Sequence, residues 1–256
     1  MISLKKINSL TNLDVKFAIK LQQKKYRYLH KMFLVQGWKE VELASQAGLL
    51  LKVFTLEDQV TKINAIKSDI NIVSEQILNK ISPLNAKAKV IGIASMSFAK
   101  NIDYFFKSKQ LVLLDNVQDP GNLGTIIRLC NSFGFDLVYS GVDLYNPKVV
   151  SAAKGALFFI NIFRVNDLEE FFIEKKYEQK IVGAIVDQNA SFLHNFEVEN
   201  EQKYALVFGN EGNGISQSIQ EYLDLKLFIK INFESLNIAT AVAIFANHFV
   251  NKTEKR

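Results

Sequence analysis

Residues Leu111-Val112-Leu113-Leu114-Asp115-Asn116-Val117-Gln118-Asp119-Pro120-Gly121-Asn122-Leu123-Gly124-Thr125-Ile126-Ile127-Arg128 spell out a strand, a turn and the start of a helix. An apolar run closes at Asp115, Pro120-Gly121 marks the turn, and apolar residues then recur at helical spacing as far as Phe133. A run with no polar alternation is what a strand covered on both faces requires. Asn122 can cap the helix, and Gly124 permits close backbone approach in its first turn. Arg128 follows one turn after Gly124, on the face that meets whatever lies over the loop. It is one of four arginines against 27 lysines. That choice suggests a need for a planar, bidentate fork, as for phosphate; a plain surface arginine is the alternative.

The alternation continues on both sides. Apolar strands are expected over 111–115, 136–140, 158–163, 181–186, 204–209 and 227–231, with helices over 123–133, 148–153, 168–176, 217–223 and 235–250. Apolar strands separated by amphipathic helices predict an α/β domain with a parallel sheet, whose ligands bind beyond the carboxyl ends of the strands. The first part of the chain is a smaller α/β pattern. Helices are expected over 12–21, with Asn12 as cap and Leu13, Phe17 and Leu21 on one face, and over 38–47 and 74–81. In the second of these Trp38, Val41 and Ala44 share one side, and Gly48 follows the end. Strands are expected over 32–35, 49–55, 71–73 and 90–94. The organisation expected is therefore a first domain over 1–97, a linker over 98–110 and a second domain over 111–256.

The chain has 256 residues, 48% hydrophobic and 22% charged, with one cysteine. This is the composition of a folded globular protein, and a lone cysteine excludes a disulfide framework or a multi-cysteine metal site. Residues 1–20 lack a signal-peptide pattern, and no apolar run approaches the roughly 18 residues of a membrane span, so a cytoplasmic protein is expected. The net charge of +5 is uneven. Residues 1–110 carry 18 Lys/Arg against 8 Asp/Glu, net +10, and residues 111–256 carry 13 against 18, net −5. Such asymmetry fits a polyanion-binding module joined to another, although chance clustering of lysines gives the same split.

Two further loops resist explanation by packing. After the strand at 204–208 comes Gly209-Asn210-Glu211-Gly212-Asn213-Gly214-Ile215-Ser216. Its glycines expose backbone groups to a ligand, but their spacing is neither the dinucleotide fingerprint nor a P-loop. A nicotinamide-dependent oxidoreductase is correspondingly disfavoured. The other loop, Glu234-Ser235-Leu236-Asn237-Ile238-Ala239-Thr240-Ala241, opens the last helix. Taken alone, Ser235 reads best as its N-cap.

In this order, the three loops resemble the three motifs of the SpoU (TrmH-like) RNA ribose 2′-O-methyltransferases of the SPOUT superfamily. The resemblance is carried by Asp119-Pro120-Gly121-Asn122-Leu123-Gly124 with Arg128 and Phe133-Gly134, by Phe208 to Ser216, and by Ser235-Leu236-Asn237-Ile238. Lys148-Val149-Val150 and Lys154-Gly155-Ala156 look like the family's intermediate segment. More loosely, Lys24-Lys25-Tyr26-Arg27, Phe33-Leu34-Val35-Gln36-Gly37 and Ile81-Ser82 resemble the ribosomal-protein-like substrate-binding domain often fused ahead of it. Gln36 stands where relatives commonly have glutamate. Residues 229–234 lack the proline and glycine that usually precede the Ser-Leu-Asn core, and the segment looks shorter than the family's.

The resemblance implies a parallel sheet with a deep trefoil knot from about residue 204, a homodimer, and methyl transfer from S-adenosylmethionine to a ribose 2′-hydroxyl of tRNA or rRNA. No metal and no membrane are implied. By carry-over, Asn122, Arg128, Glu211, Ser235 and Asn237 form the catalytic site, and Gly209, Asn210, Gly212, Ile229, Leu236 and Asn237 contact the cofactor. Arg128 with Lys24, Lys25 and Arg27 contacts RNA. Cys130 reads as core, and His30, His194 and His248 match no motif. The alternative is a catalytically silent RNA-binding or ribosome-assembly protein that keeps the knotted fold.

Overall fold

A computed structural model describes residues 4–253 except 67, 85, 86, 97–99, 174, 175, 186, 188, 189, 233 and 234, and all their side chains but those of 63–65, 252 and 253. Val186 at the expected end of one strand, Phe233 and Glu234 before the third motif, and 97–99 near the domain boundary lie outside the described residues. The elements begin with β1 (Leu4–Ile7), α1 (Leu13–Lys20), α2 (Lys24–His30), β2 (Met32–Gln36), α3 (Trp38–Gln46), β3 (Leu50–Thr55), β4 (Asp69–Val73), α4 (Glu75–Ile81) and β5 (Val90–Ser95). They continue with α5 (Ile102–Phe105), β6 (Gln110–Val117), α6 (Pro120–Phe133), β7 (Asp136–Gly141), α7 (Pro147–Ala153), β8 (Ile162–Arg164), α8 (Glu169–Ile173) and β9 (Lys180–Ala184). The last are β10 (Ser191–Phe192), β11 (Tyr204–Phe208), α9 (Gln217–Gln220), β12 (Leu225–Phe228) and α10 (Ile238–Thr253).

The chain forms two compact units, one of residues 1–98 with Tyr145–Phe159, the other of 99–144 with 160–256. In the first, five strands lie in the order β1-β4-β3-β5-β2, with β1, β4 and β3 parallel and β5 antiparallel to both its neighbours. Asn12 caps α1 by accepting from the Asp14 amide at 2.9 Å, as expected. The expected face is corrected: Leu13 is 82% exposed, while Val15 and Ala18 are buried with Leu21. Gln36 accepts a hydrogen bond from the Ser82 hydroxyl at 2.8 Å, so a neutral amide serves at that position.

Segment 145–159 was expected within the second domain but packs in the first unit. Phe33 meets the Tyr145 ring at 4.8 Å and the Phe158 ring at 6.1 Å, and Lys154 pairs with Glu40 at 3.7 Å. Glycine suits position 155: its φ is +81°, which other residues rarely adopt, and a Cβ there would lie 2.5 Å from the Leu43 side chain. With this segment counted, the first unit holds 17 Lys/Arg against 7 Asp/Glu, net +10, and the second 14 against 19, net −5. The charge split survives the change of boundary.

The second unit is a parallel sheet in the order β10-β12-β9-β11-β6-β7-β8. Residues 98–110, expected as a linker, instead carry α5, and Phe105 and Phe106 are buried in this unit's core with Leu111, Leu113, Phe171 and Val207. The third expected strand starts late, at Ile162, because Ala156–Phe158 form a 3-10 turn. From β6 the chain builds outward through β7 and β8, whereas β9, β11 and β12 lie on the other side. The order therefore switches between β6 and β11, and the loops that leave their carboxyl ends diverge there, the place where open parallel sheets bind ligands.

Candidate active site

At the end of β6, Asp119 caps α6 by accepting from the Asn122 amide at 2.7 Å, with Pro120 in the first turn. Proline suits that position because its missing N–H would have had no partner. The sequence expectation had Asn122 as cap, and the difference matters, since it leaves the Asn122 side chain available. Its Nδ2 donates to Glu211 Oε1 at 2.8 Å, and its Oδ1 accepts from Asn237 Nδ2 at 2.9 Å. One asparagine thus ties the second and third loops to the first.

Asn237 is fixed in turn. Its Oδ1 accepts from the Ala239 amide at 2.9 Å and the Thr240 amide at 3.4 Å, so Asn237 caps α10. This corrects the reading of Ser235 as that cap. Ser235 is exposed, and its hydroxyl has no hydrogen-bond partner among the described residues. Arg128 is also exposed on α6, and its guanidinium is unpaired among the described residues. Both polar groups are left for something other than packing.

The glycine loop has a defined shape. Asn210 and Gly214 exchange backbone hydrogen bonds of 3.0 and 2.9 Å, and Asn210 Oδ1 accepts from the Gly212 amide at 2.8 Å. Two residues that sequence reasoning did not single out hold it against β6. The Asn116 carbonyl accepts from Asn210 Nδ2 at 2.9 Å, and buried Asp115 accepts from the Ser216 amide at 2.8 Å. Asn116 itself has φ +56°, and its amide donates to the Ser140 hydroxyl at 2.8 Å. The available signal was an Asp-Asn pair at the end of an apolar strand, where side chains reach the switch point.

Beside these loops lies a cavity of about 500 Å³. Gly209, Asn210, Gly212, Ile229 and Leu236 line it with Ser235, and Leu227 and Phe245 supply apolar wall. Glu211 lines it as well, whereas Asn122, Asn237 and Arg128 do not. The Asn237 side-chain amide is directed to Asn122. Cys130 is buried behind the site, and burial, then the nearby Asp136 charge, push its thiol far up. It belongs to the core, not to the chemistry. Among the described residues, no cluster of three or more His, Cys, Asp or Glu could hold a metal, and no helix is long and apolar enough to cross a membrane.

In the first unit, Lys24 and Lys25 are exposed on α2, but Arg27 is not. The residue is 4% exposed, and its guanidinium donates to the Gln22 carbonyl at 2.7 Å and the Leu21 carbonyl at 3.4 Å. Arg27 is therefore a buried pin for the α1–α2 turn, which corrects its expected role at RNA.

Comparison with known proteins gives two family matches: the SpoU rRNA Methylase family over residues 109–247, and the MRM3-like substrate binding domain over residues 12–92. The chain is 31% identical to the Bacillus subtilis 23S rRNA (guanosine(2553)-2′-O)-methyltransferase RlmP over 253 residues, 96% of this chain and 99% of that protein. The AdoMet-bound rRNA methyltransferase of Sinorhizobium meliloti superposes with a TM-score of 0.81 at 27% identity, covering 96% of this chain and 97% of that one. The SpoU methyltransferase AviRb of Streptomyces viridochromogenes, at 22% identity and a TM-score of 0.81 over 95% of this chain and 99% of that one, shares the fold. The family match of residues 109–247 spans all three joined loops, and this chain belongs to the SpoU rRNA methylase family.

Proposed function

We propose that this protein transfers a methyl group from S-adenosylmethionine to a ribose 2′-hydroxyl of ribosomal RNA, with a guanosine of the large-subunit RNA as target. The observation that carries the reading is the Asn237–Asn122–Glu211 hydrogen-bond chain beside a glycine-walled cavity. The full-length likeness to RlmP supports the substrate class. No finding favours the silent RNA-binding alternative. The reading includes the knotted SPOUT topology, a homodimer and a cytoplasmic location.

The cavity fits the cofactor. Its volume of about 500 Å³ falls in the roughly 300–1,000 Å³ range of small-molecule sites. Gly209 and Gly212 present backbone for polar contacts, while Ile229, Leu236 and Phe245 offer an apolar surface for a flat base. When bound, S-adenosylmethionine supplies a methyl made electrophilic by its sulfonium. The protein's task is to orient the ribose, stabilise charge as the hydroxyl passes its proton to a base, for which the cavity offers the Glu211 carboxylate, and exclude water. A guanidinium has donors and no acceptor, so Arg128 holds the adjoining phosphate and stabilises the developing alkoxide; it does not take the proton. Asn122 keeps Glu211 and Asn237 in fixed relation, and Ser235 presents its hydroxyl to the same space.

The test is methyl transfer from labelled cofactor to ribosomal RNA taken from cells lacking the protein, with 2′-O-methyl positions mapped in that RNA and in the parent's. A single large-subunit guanosine should gain the label and be unmethylated in the deletion strain. Folded, cofactor-binding protein that labels no RNA would sink the proposal.

A further inference from the structure

We infer that α2 is an RNA-reading helix, on which Tyr28 stacks against an unpaired nucleobase while Lys20, Lys24 and Lys25 hold the adjoining phosphates. The inference rests on the ribosomal-RNA reading above and narrows how that RNA is recognised. A helix of a folded domain ordinarily turns an apolar stripe inward. This helix does the reverse: it buries Arg27 and exposes Lys24, Lys25, Tyr28, Leu29 and His30, with Tyr28 42% and Leu29 66% exposed. Burial within the unit therefore leaves the leucine and much of the Tyr28 ring in solvent.

The ring is held ready. Tyr28 meets Tyr145 edge-on at 6.3 Å, and Tyr145 is buried against Phe33 at 4.8 Å, so the core fixes one edge of an exposed aromatic. The Lys24 ammonium lies 5.7 Å from the Tyr28 ring centre. Two residues away and round the helix from Tyr28, Tyr26 and His30 lie nearly parallel at 6.5 Å, with Lys20 at 5.6 Å and Lys25 at 6.0 Å from the Tyr26 ring centre. Residues 16–31 contain five lysines and one arginine and no acidic residue, and Asp14 just before them is bonded to Lys52 at 2.6 Å.

Aromatic faces interleaved with ammonium groups match single-stranded nucleic acid, where bases stack and phosphates pair. A second copy of this face would bring like charge against like, which disfavours self-association. A duplex hides its base faces and would use the lysines alone. The surface therefore distinguishes unpaired from paired RNA.

The experiment measures binding of the full chain to a labelled single-stranded RNA of about 16 nucleotides and to the duplex of the same sequence, over a range of salt. Tyr28→Ala should weaken single-strand binding by about 5- to 150-fold, with Tyr28→Phe close to wild type and duplex binding unmoved. The pair Lys24→Gln and Lys25→Gln should lower the salt slope on the single strand by about 1.4, two phosphates' worth; it provides the reading if Tyr28→Ala fails to fold. Arg27→Met should lower the melting temperature and leave the salt slope unchanged. Equal binding by Tyr28→Ala and wild type, in a protein that still methylates ribosomal RNA, overturns this inference alone. Loss of self-association on Tyr28→Ala would reassign the face to a second copy and overturn it too. Wild-type protein that neither binds nor methylates RNA overturns both readings.

Discussion

Gly209→Ala tests whether the glycine loop is shaped by space or by convenience. Its added Cβ would lie 1.9 Å from the Gly214 carbonyl carbon and 2.0 Å from the Ile215 nitrogen, both backbone atoms. Ordinary contact needs about 3.5–4 Å, so the 214–215 backbone must retreat by roughly 1.5–2 Å. The Asn210–Gly214 bonds of 3.0 and 2.9 Å cannot survive that movement. Two backbone hydrogen bonds contribute about 1–3 kcal/mol together, which is roughly 5- to 150-fold in affinity if the cofactor needs the loop in this shape. Calorimetric titration with S-adenosylmethionine should show that loss, while the melting temperature falls by roughly 2–10 °C. Gly212→Ala is the contrast: its Cβ would meet only Asn210 Oδ1, at 3.5 Å. The loop should keep its shape in that variant, and any weakening should stay below that of Gly209→Ala. Cofactor affinity within twofold of wild type for Gly209→Ala, with unchanged melting, would refute the argument that the loop's backbone geometry makes the pocket.

Arg128→Ala should reduce methyl transfer by about 100- to 1,000-fold with cofactor affinity nearly intact, because the exposed guanidinium is outside the cavity lining; a large rise in the cofactor's Kd would contradict that. Arg128→Lys should not restore activity if the planar fork is what the phosphate needs. Cys130 should resist a thiol reagent at about pH 8 in the native protein and react on denaturation, since burial holds it as the thiol. At alkaline pH, Tyr104, Tyr177 and Tyr204 are all raised above the ordinary 10.0, by burial first, with Asp136 assisting at Tyr104 and Asp224 at Tyr177. The stability they contribute is present below that value and lost as pH rises through their higher native values. Melting temperature should therefore drop above about pH 10; a flat profile to about pH 12 would show that the three rings ionise as freely in the folded chain as in the unfolded one.

What the sequence made legible follows from what each element must bury. Strands covered on both faces leave unbroken apolar runs, which is why β6, β7 and β11 could be read directly. β1 could not: Leu4, Lys5 and Lys6 are exposed on an edge strand, so no run marks it. α2 was missed for a related reason, as its inward residue is an arginine and its outward ones include tyrosine and leucine. Residues 98–110 looked like a linker because Lys100, Lys107 and Lys109 surround Phe105 and Phe106, which are core. The membership of 145–159 in the first unit rests on Phe33, Leu43 and Glu40, residues more than a hundred positions earlier. No local pattern records a partner that distant. The site was legible as residue types in order, but its wiring was not. Whether Asp119 or Asn122 caps a helix turns on which oxygen reaches the amide, and both are good caps.

That undecidable detail is where the site's geometry originates. Asp119 takes the cap of α6 and thereby frees Asn122, while Asn237 keeps the cap of α10 with its oxygen and donates to Asn122 with its nitrogen. The position of Glu211 is thus referred, through one asparagine, to the first turns of two helices that pack against each other. Helix termini are stiffer supports than the loops that the sequence suggests, and sites built on them hold tighter geometry. Asp119→Ala would have two available outcomes: an uncapped Asn122 amide costing about 1 kcal/mol, or unwinding of the first turn so that Asn122 becomes the cap of a shortened helix. The second would break both of its site contacts at once, so a loss of transfer larger than the loss of stability is the signature that capping and catalysis are set by the same residues.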